Sequence, residues 1–288
     1  MKRFWPAISG KQVGQAAAPP VWIGFSRVFP AILVLVLATA VVRGETAAAA
    51  RNYALIVGIS EYPEYGRLAY ATNDAIGMAG LARKRGFDYL TLLLNGDATR
   101  EKIVAAIDDL HARLGPEDVL TFFYSGHALR QSNAAGGYDG YLVPFGCHKG
   151  RELEEGLAMA DVASMLADLP NRYLTVFIDA CHGAMLADAV ADGMADVRTG
   201  GVSNRIVAVV ASSGAGEMAF ESDGHGVFTG GLLNALATTE HDSIMGRKPD
   251  AELMRDLQQL VETETGGWQQ PRMTQYGDWP EPICLRGF

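Results

Sequence analysis

The chain has few cysteines and few basic residues. Its 288 residues include three cysteines, and 24 lysines and arginines stand against 33 aspartates and glutamates, for a formal net charge of −9. Three cysteines exclude the dense disulfide framework of a small secreted domain. No cluster of lysine and arginine is interleaved with aromatic residues, so nucleic acid is not an expected partner. No internal repeat is visible, which excludes a repeat architecture.

The odd number of cysteines leaves one thiol unpaired in an exported chain, and we expect this thiol to be Cys181. For Cys147 and Cys284 two alternatives stay open, a disulfide or two unpaired thiols, because sequence does not give their separation. The Cys-His pairs at 147–148 and 181–182 fit no zinc-module spacing, so we predict no metal site there.

Long apolar runs are also scarce, and the longest lies near the N-terminus. Residues 28–42 are 15 uncharged residues that follow Arg27 and precede an alanine-rich stretch. This order describes a secretory signal, and the run is shorter than the roughly 20 residues of a membrane span. We predict that residues 1–50 are a signal peptide and that the protein is periplasmic or secreted. An uncleaved membrane anchor and a buried helix are the alternatives.

Residues 51–288 are expected to form one α/β domain. Apolar runs typical of buried strands lie at 53–59, 89–94, 119–124, 141–144, 173–178 and 206–211. Helical patterns lie at 74–84, 99–114, 160–169, 228–237 and 252–263. The alternation predicts a mostly parallel sheet flanked by helices. Residues 183–204 show no strand pattern and are expected to be a long connection, either functional or mobile.

Two of the predicted strands end at a reactive side chain. Phe122–His127 ends in a histidine, and Val176–Gly183 carries Cys181 just after its apolar part. Because open α/β sheets bind ligands at the carboxyl ends of their strands, this imidazole and thiol would lie close together. A thiol with a base beside it can act as a nucleophile. The alternative is a buried structural cysteine and a hydrogen-bonded core histidine.

These segments resemble the caspase–metacaspase superfamily of cysteine peptidases over roughly residues 52–240. The caspase signature is Gln-Ala-Cys-x-Gly with a histidine about 50 residues upstream. Here the sequence is Asp179-Ala180-Cys181-His182-Gly183, and His127 lies 54 residues earlier. The acid before the cysteine and the histidine after it are more similar to metacaspases. The resemblance implies a caspase-like three-layer α/β/α sandwich with a mostly parallel six-stranded sheet.

The resemblance also implies the catalytic roles of a cysteine endopeptidase. Cys181 would be the nucleophile, and His127 would protonate the leaving amine. The backbone amides of Cys181 and Ala128 would form the oxyanion hole. Glycine is usual after the histidine, so Ala128 is a departure that would strain the loop if this residue had a positive φ.

The family's first specificity pocket maps onto Asp74, Ser125 and Asp179. Two carboxylates in a partly desolvated pocket select a cationic side chain, because a cation relieves their repulsion. The expected partner is therefore a peptide or protein with arginine or lysine before the cleaved bond. The alternatives are that Asp74 is a helix N-cap and Ser125 a turn residue. We expect Ser212, Ser213, Glu217 and Glu221 to be rim residues only.

Two further features follow from the resemblance. Of the acids with which metacaspases bind calcium, Asp161 and Asp188 have counterparts here, and this is too few for an ion that prefers six to eight oxygens. We expect no cofactor, with calcium as the alternative. Arg198 and Arg205 flank a glycine-containing stretch and are candidate self-processing sites, the alternative being an ordinary solvated loop.

Three other functions stay open. One is a peptidase of the same fold with another first-pocket preference. Another is a catalytically silent binding or scaffold module, favoured by Ala128 and by the incomplete calcium pattern. The last is a non-peptidase hydrolase on a similar parallel sheet.

Overall fold

The computed structural model describes residues 49–197, 205–238 and 251–277. The predicted N-terminal signal, Arg198 and Cys284 lie outside the described residues. Within those ranges, no helix combines the length and the apolar character that crossing a membrane requires.

Eleven strands and seven α-helices alternate along the described ranges. The strands are β1 (Asn52–Gly58), β2 (Tyr89–Leu94), β3 (Val119–Ser125), β4 (Ala128–Ser132), β5 (Tyr138–Leu142), β6 (Leu157–Ala158), β7 (Tyr173–Asp179), β8 (Ile206–Ala211), β9 (Glu221–Ser222), β10 (His225–Gly226) and β11 (Arg272–Tyr276). The helices are α1 (Ala71–Lys84), α2 (Arg100–Arg113), α3 (Glu152–Glu155), α4 (Met159–Ala167), α5 (Ala184–Val197), α6 (Val227–Thr238) and α7 (Ala251–Glu264).

Six of these strands form the central sheet, in the order β11-β8-β7-β3-β1-β2. Neighbouring strands are parallel except for β11, which runs antiparallel to β8 at one edge. Every residue of β3, β7 and β8 is buried, as expected for parallel strands that are covered on both faces. The predicted six-stranded, mostly parallel sheet is confirmed.

Successive side chains of each central strand point to opposite faces, so the molecule has two cores. On one face, Phe122 and Val176 pack with residues of α2, α4 and α5. On the other face, Phe123 and Phe177 pack with residues of α1, α6 and α7. The three layers of the predicted sandwich follow from this division.

The start of α1 differs from the prediction. The helix begins at Ala71, so Asp74 lies inside its first turn and the N-cap alternative for Asp74 is wrong. Tyr70 occupies the N-cap position without a capping side chain. The first-turn amide of Thr72 instead donates to the Ser60 hydroxyl at 2.9 Å. A cap supplied from a distant residue leaves no local sequence signal.

The segment after Gly183 also differs from the prediction. Residues 184–197 form α5 rather than a loop, and Leu186, Ala187 and Val190 are buried against the sheet. The acids and glycines of this segment suggested a connection. Alanine, methionine and leucine are strong helix formers, however, and they dominate its sequence. The sequence predicts no strand at β11 or β4. The strand predicted at 141–144 overlaps the end of β5, which lies in a separate three-stranded sheet with β4 and β6, and β11 is the sixth strand of the central sheet instead.

Candidate active site

Strand register places the proposed catalytic residues at one edge of the sheet. Ser125 at the end of β3 is level with Asp179 at the end of β7. His127 and Cys181 each follow two residues later, and both are partly exposed. The two side chains line a single pocket, together with Asp74, Ser125 and Asp179. The sequence-predicted dyad and pocket residues therefore lie together at the carboxyl ends of the strands.

His127 is held by its backbone as well as by its ring. Its amide donates to the Tyr62 hydroxyl at 2.9 Å, and its carbonyl accepts from the Tyr124 hydroxyl at 2.8 Å. Its Nε2 lies 2.6 Å from the carbonyl oxygen of Gly66. A carbonyl only accepts, so Nε2 carries the proton and Nδ1 is the nitrogen left for proton transfer.

Gly126 is required beside these tyrosines. A Cβ atom at this position would lie 2.6 Å from the Tyr62 hydroxyl and 2.8 Å from the Tyr124 hydroxyl. The close approach lets both hydroxyls reach the backbone of His127. The Ser-Gly-His sequence at the end of β3 is thus a packing requirement as well as a turn.

The thiol of Cys181 has a neutral hydrogen-bond donor close to it. Its Sγ accepts from the amide of Ala219 at 3.4 Å. Burial raises the pKa of Cys181, the charge of Asp179 raises it further, and the Ala219 amide partly offsets both effects. The raised pKa favours the protonated thiol, so a base beside Cys181 would be needed to form a thiolate.

The chain turns sharply immediately after Cys181. His182 has a φ of 60°, in the left-handed region that non-glycine residues rarely adopt. Its amide donates to the carbonyl of Glu217 at 2.9 Å, which fixes this conformation. A Cβ atom on Gly183 would lie 2.5 Å from Ile178 Cγ2, so this position requires glycine. Backbone strain next to a reactive group is common at functional sites.

Ser212 and Ser213 follow β8 and hold this turn by hydrogen bonds to its backbone. The Ser212 hydroxyl accepts from the amide of Ala180 at 3.2 Å. The Ser213 hydroxyl donates to the carbonyl of Ala180 at 2.8 Å and accepts from the amide of Gly183 at 3.1 Å. Both serines are fully buried. The expectation that they are rim residues is wrong, because they hold the segment that presents Cys181.

Ala128 begins the β4–β5 hairpin in unstrained backbone. It pairs with Leu142, while the amide of Val143 donates to the carbonyl of His127 at 3.0 Å. In this arrangement Ala128 and Leu142 are a non-hydrogen-bonded pair, so the Ala128 amide points away from β5. Ala128 is not among the described residues that have a positive φ. The strain considered for an alanine here does not arise.

Asp74 and Asp179 form the buried wall of the pocket. Asp74 accepts from the Ser125 hydroxyl at 2.9 Å and from the amide of Gly226 at 3.0 Å. Asp179 accepts from Thr229 through the amide at 3.1 Å and the hydroxyl at 2.6 Å. Thr229 lies in the first turn of α6, where exposed amides and the helix dipole favour a carboxylate.

The two carboxylates repel each other in a poorly solvated space. Burial, followed by the charge of Asp179, raises the pKa of Asp74 to about 8. Burial also raises the pKa of Asp179, against the opposing hydrogen bonds from Thr229. A Cβ atom on Gly226 would lie 2.3 Å from Asp179 Oδ2 and 3.1 Å from Asp74 Oδ2. The backbone of Gly226 is therefore packed against both carboxylates.

Sequence reasoning missed three residues of this wall, which are His225, Gly226 and Thr229. His225 Nδ1 lies 2.9 Å from Asp74 Oδ1. The available signal was a glycine and a threonine at the start of an apolar helix that follows a predicted strand end. Glu221 lies at the rim as expected, and its carboxylate accepts from the amides of residues 69 and 70 at 2.8 Å and 2.7 Å.

Comparison with known proteins identifies the family. A family model described as the caspase domain matches residues 51–277. The chain belongs to the caspase-domain family. Metacaspase-1 of Mycosarcoma maydis is 30% identical, over 48% of this chain and 37% of that protein. Metacaspase-1 of Meyerozyma guilliermondii is 27% identical, over 48% and 36%. The chain thus spans little more than a third of the length of these relatives.

A solved structure supports the fold independently. The crystal structure of protein GSU0716 from Geobacter sulfurreducens superimposes with a TM-score of 0.58 at 19% identity. The match covers 82% of this chain and 97% of that one. Such a likeness shows the caspase-like architecture and carries no statement about activity.

The two acids that match the metacaspase calcium pattern lie in different surroundings. Asp161 is exposed on α4 and acts electrostatically on Tyr141. Asp188 is exposed on α5 and acts on Tyr276 of the edge strand. Across the described ranges, no group of three or more His, Cys, Asp or Glu side chains could hold a metal ion. The structure therefore adds no support for calcium, and the absence of a cofactor stays a prediction.

Arg205, one of the two candidate processing sites, is buried. Arg205 immediately precedes β8. It is 6% exposed, and its Nη1 donates to the carbonyl of Ala167 at the end of α4. Burial lowers its pKa to about 10. A side chain buried in this way cannot enter a specificity pocket while the chain is folded, so the folded chain does not offer Arg205 for cleavage.

Proposed function

We propose that this caspase-domain protein is a cysteine endopeptidase that cleaves after arginine or lysine. The observation that carries the proposal is the shared pocket, which joins the Cys181 thiol and the His127 imidazole to the carboxylates of Asp74 and Asp179. A thiol and an imidazole supply nucleophilic and acid–base chemistry. Two buried carboxylates supply a preference for a cation.

The proposed reaction begins with transfer of the Cys181 proton to His127 Nδ1. The thiolate attacks the carbonyl carbon of the scissile bond, and the negative oxygen is bound by the amides of Cys181 and Ala128. The C–N bond then breaks, and the leaving amine takes the proton from His127. Water hydrolyses the remaining thioester, which releases the acid product and restores the thiol.

The specificity follows from the state of the acidic wall. The raised pKa values of Asp74 and Asp179 show that the ionised pair is unfavourable without a counter-ion. A guanidinium or ammonium group between them relieves this repulsion, whereas an aspartate side chain would add to it. A neutral side chain would leave the carboxylates desolvated and uncompensated.

A silent scaffold is the second candidate, favoured by one observation. The thiol of Cys181 has a raised pKa and accepts a bond from the neutral Ala219 amide. A thiol kept protonated in this way would react slowly. The scaffold candidate predicts that Cys181 labels with iodoacetamide no faster than an ordinary cysteine.

The test is hydrolysis of fluorogenic peptides that differ only in arginine, lysine, aspartate or leucine before the cleaved bond. We expect turnover of the arginine and lysine peptides, with and without added calcium, and a loss of at least about 10³-fold in Cys181→Ala. Cys147→Ala is the matched control, because Cys147 is buried outside this pocket, and it should stay active. Turnover of the aspartate peptide would overturn the pocket assignment.

We also propose that the protein is exported and that Arg198 is a self-processing site. Both proposals rest on sequence alone. Protein isolated from its native host should begin near residue 50, which terminal sequencing would show. Arg198→Gln should remove any autolytic fragment that begins at residue 199, and Arg205→Gln should not.

A further inference from the structure

Glu152 is a buried carboxylate that the proposed reaction does not use. It is 5% exposed and lies in the four-residue helix α3. It accepts hydrogen bonds from the Tyr65 hydroxyl, from Gln131 Nε2 at 3.0 Å and from the amide of Gly150 at 2.9 Å. Burial alone would raise the pKa of Glu152. The hydrogen bonds, of which that from Tyr65 has the largest effect, outweigh burial and hold this pKa below its ordinary value, so the group stays ionised.

Tyr65 connects this carboxylate to the catalytic histidine. It belongs to the segment Ser60–Leu68, which we call the tyrosine loop, and it immediately precedes Gly66. The carbonyl of Gly66 is the group that lies 2.6 Å from His127 Nε2. The Tyr65 ring centroid lies 5.8 Å from that of His127, and the Tyr62 ring centroid lies 4.7 Å from it.

A second contact, with a residue close to Glu152 in the sequence, holds the tyrosine loop. Glu64 Oε2 accepts from the amide of Lys149 at 2.9 Å, close in sequence to the bond between Tyr65 and Glu152. The loop is closed on itself by a bond from the amide of Leu68 to the carbonyl of Ser60 at 3.0 Å. The position of the tyrosine loop beside His127 is thus set by contacts with Lys149 and Glu152.

We propose that Tyr65 and Glu152 are positioning residues for His127. Their hydrogen bond holds the Gly66 carbonyl at Nε2, which keeps the proton on that nitrogen and leaves Nδ1 for the reaction. The inference rests on the proposed function, since it assigns a purpose to the orientation of the histidine. It concerns neither the thiol nor the acidic wall.

Loss of the Tyr65 hydroxyl should affect one chemical step more than the others. An amide substrate needs a proton delivered to its leaving nitrogen, whereas a nitrophenyl ester has a leaving group that departs without one. A disordered imidazole should therefore slow amides far more than esters. A tyrosine that served only to stabilise the fold would affect both substrates equally.

The first experiment measures kcat and KM of the full-length protein on an arginine anilide and on the matching nitrophenyl ester. Tyr65→Phe and Glu152→Gln should each lower kcat for the anilide by about tenfold or more. Both should leave KM within about twofold and should lower ester turnover clearly less than anilide turnover, because the ester needs His127 only as the base that takes the Cys181 proton. Tyr138→Phe and Glu154→Gln are the controls, because both side chains are exposed and the Glu154 carboxylate accepts from Arg151 rather than from Tyr65. An equal loss on the two substrates would overturn the proposal.

The second experiment does not depend on peptidase activity. Nitrogen NMR of histidine-labelled Cys181→Ala protein reports the tautomer of His127, assigned by the loss of its signals in His127→Gln. We expect a protonated Nε2 and a mixture of tautomers after Tyr65→Phe. An unchanged tautomer would refute the positioning role even if no substrate were ever cleaved. Conversely, a tautomer changed by Tyr65→Phe, together with a wild-type protein that cleaves no peptide, would refute only the proposed function.

Discussion

The acidic wall and Cys181, the proposed nucleophile, lie in one pocket but are built in opposite ways. Each carboxylate of the wall is almost completely buried and accepts at least two hydrogen bonds from neighbouring residues. The Cys181 thiol is partly exposed and accepts a bond from the amide of Ala219. The wall is fixed before substrate arrives, whereas the nucleophile is held mainly through its backbone.

Under the proposed function, this difference separates the part of the pocket that binds the substrate from the part that reacts with it. Burial and mutual repulsion keep a proton on the pair of carboxylates, and a bound cation would favour the fully ionised pair, so the proposed role of the wall is substrate recognition. Burial raises the pKa of Cys181, so in the proposed reaction the thiol becomes reactive when His127 takes its proton. Substitutions in the wall should therefore change specificity and stability, and those beside the thiol should change rate.

Asp179→Asn tests this comparison most strongly, because it has the largest expected effect. Removing one charge should lower kcat/KM for arginine peptides by about 100-fold, chiefly through KM, because the cation loses a buried partner. The labelling rate of Cys181 should not fall, since the charge of Asp179 raises its pKa. Peptide kinetics and iodoacetamide labelling measure the two effects.

Asp223→Asn is the matched control, because it removes an equal charge from an exposed residue near the pocket. It should leave both measurements unchanged. If Asp179→Asn slowed labelling as much as it weakened substrate binding, the wall and the nucleophile would not be separable, and the comparison would fail.

A smaller effect is expected on stability from Asp74→Asn. The folded protein keeps the Asp74 proton up to about pH 8, whereas the unfolded chain releases it near the ordinary pKa of 3.8. The wild type therefore loses stability as pH rises between these values. The variant should be more stable at pH 8 by about 2 kcal/mol, since each pKa unit is worth about 1.4 kcal/mol and some hydrogen bonding is lost.

Urea unfolding at pH 4, 6 and 8 checks this expectation. At pH 4 Asp74→Asn should be the less stable protein, because nothing yet offsets the lost hydrogen bonding; the difference should reverse as pH rises and level off above pH 8. Asp139→Asn, an exposed residue of β5, should follow the wild type throughout. A variant that is less stable at every pH would mean that the carboxylate is held favourably, contrary to the pKa argument.

The sequence alone reveals the proposed nucleophile and histidine more readily than it reveals the acidic wall. Cys181 and His127 stand just beyond apolar runs, so strand-end reasoning finds them without a structure, whereas Asp179 is assigned to the pocket only through the family resemblance. His225 and Thr229 reach the wall from a different chain segment, about 50 residues beyond Asp179, and short-range patterns do not report such contacts. Likewise, α1 begins at Ala71 because Ser60 bonds its first turn, which no local capping residue announces.

The smallest effect is expected from a substitution at Ala128, which follows His127 directly in the sequence. The residue lies in a strand and does not have a positive φ, so restoring a glycine relieves no strain. We expect Ala128→Gly to keep kcat within about twofold, because the amide donor survives. It should lower the free energy of unfolding by about 0.5–1 kcal/mol, because glycine loses more conformational entropy in a strand. A large gain in kcat would mean that the Ala128 backbone must move during the reaction, and the nucleophile side would then be the adaptable half of the pocket.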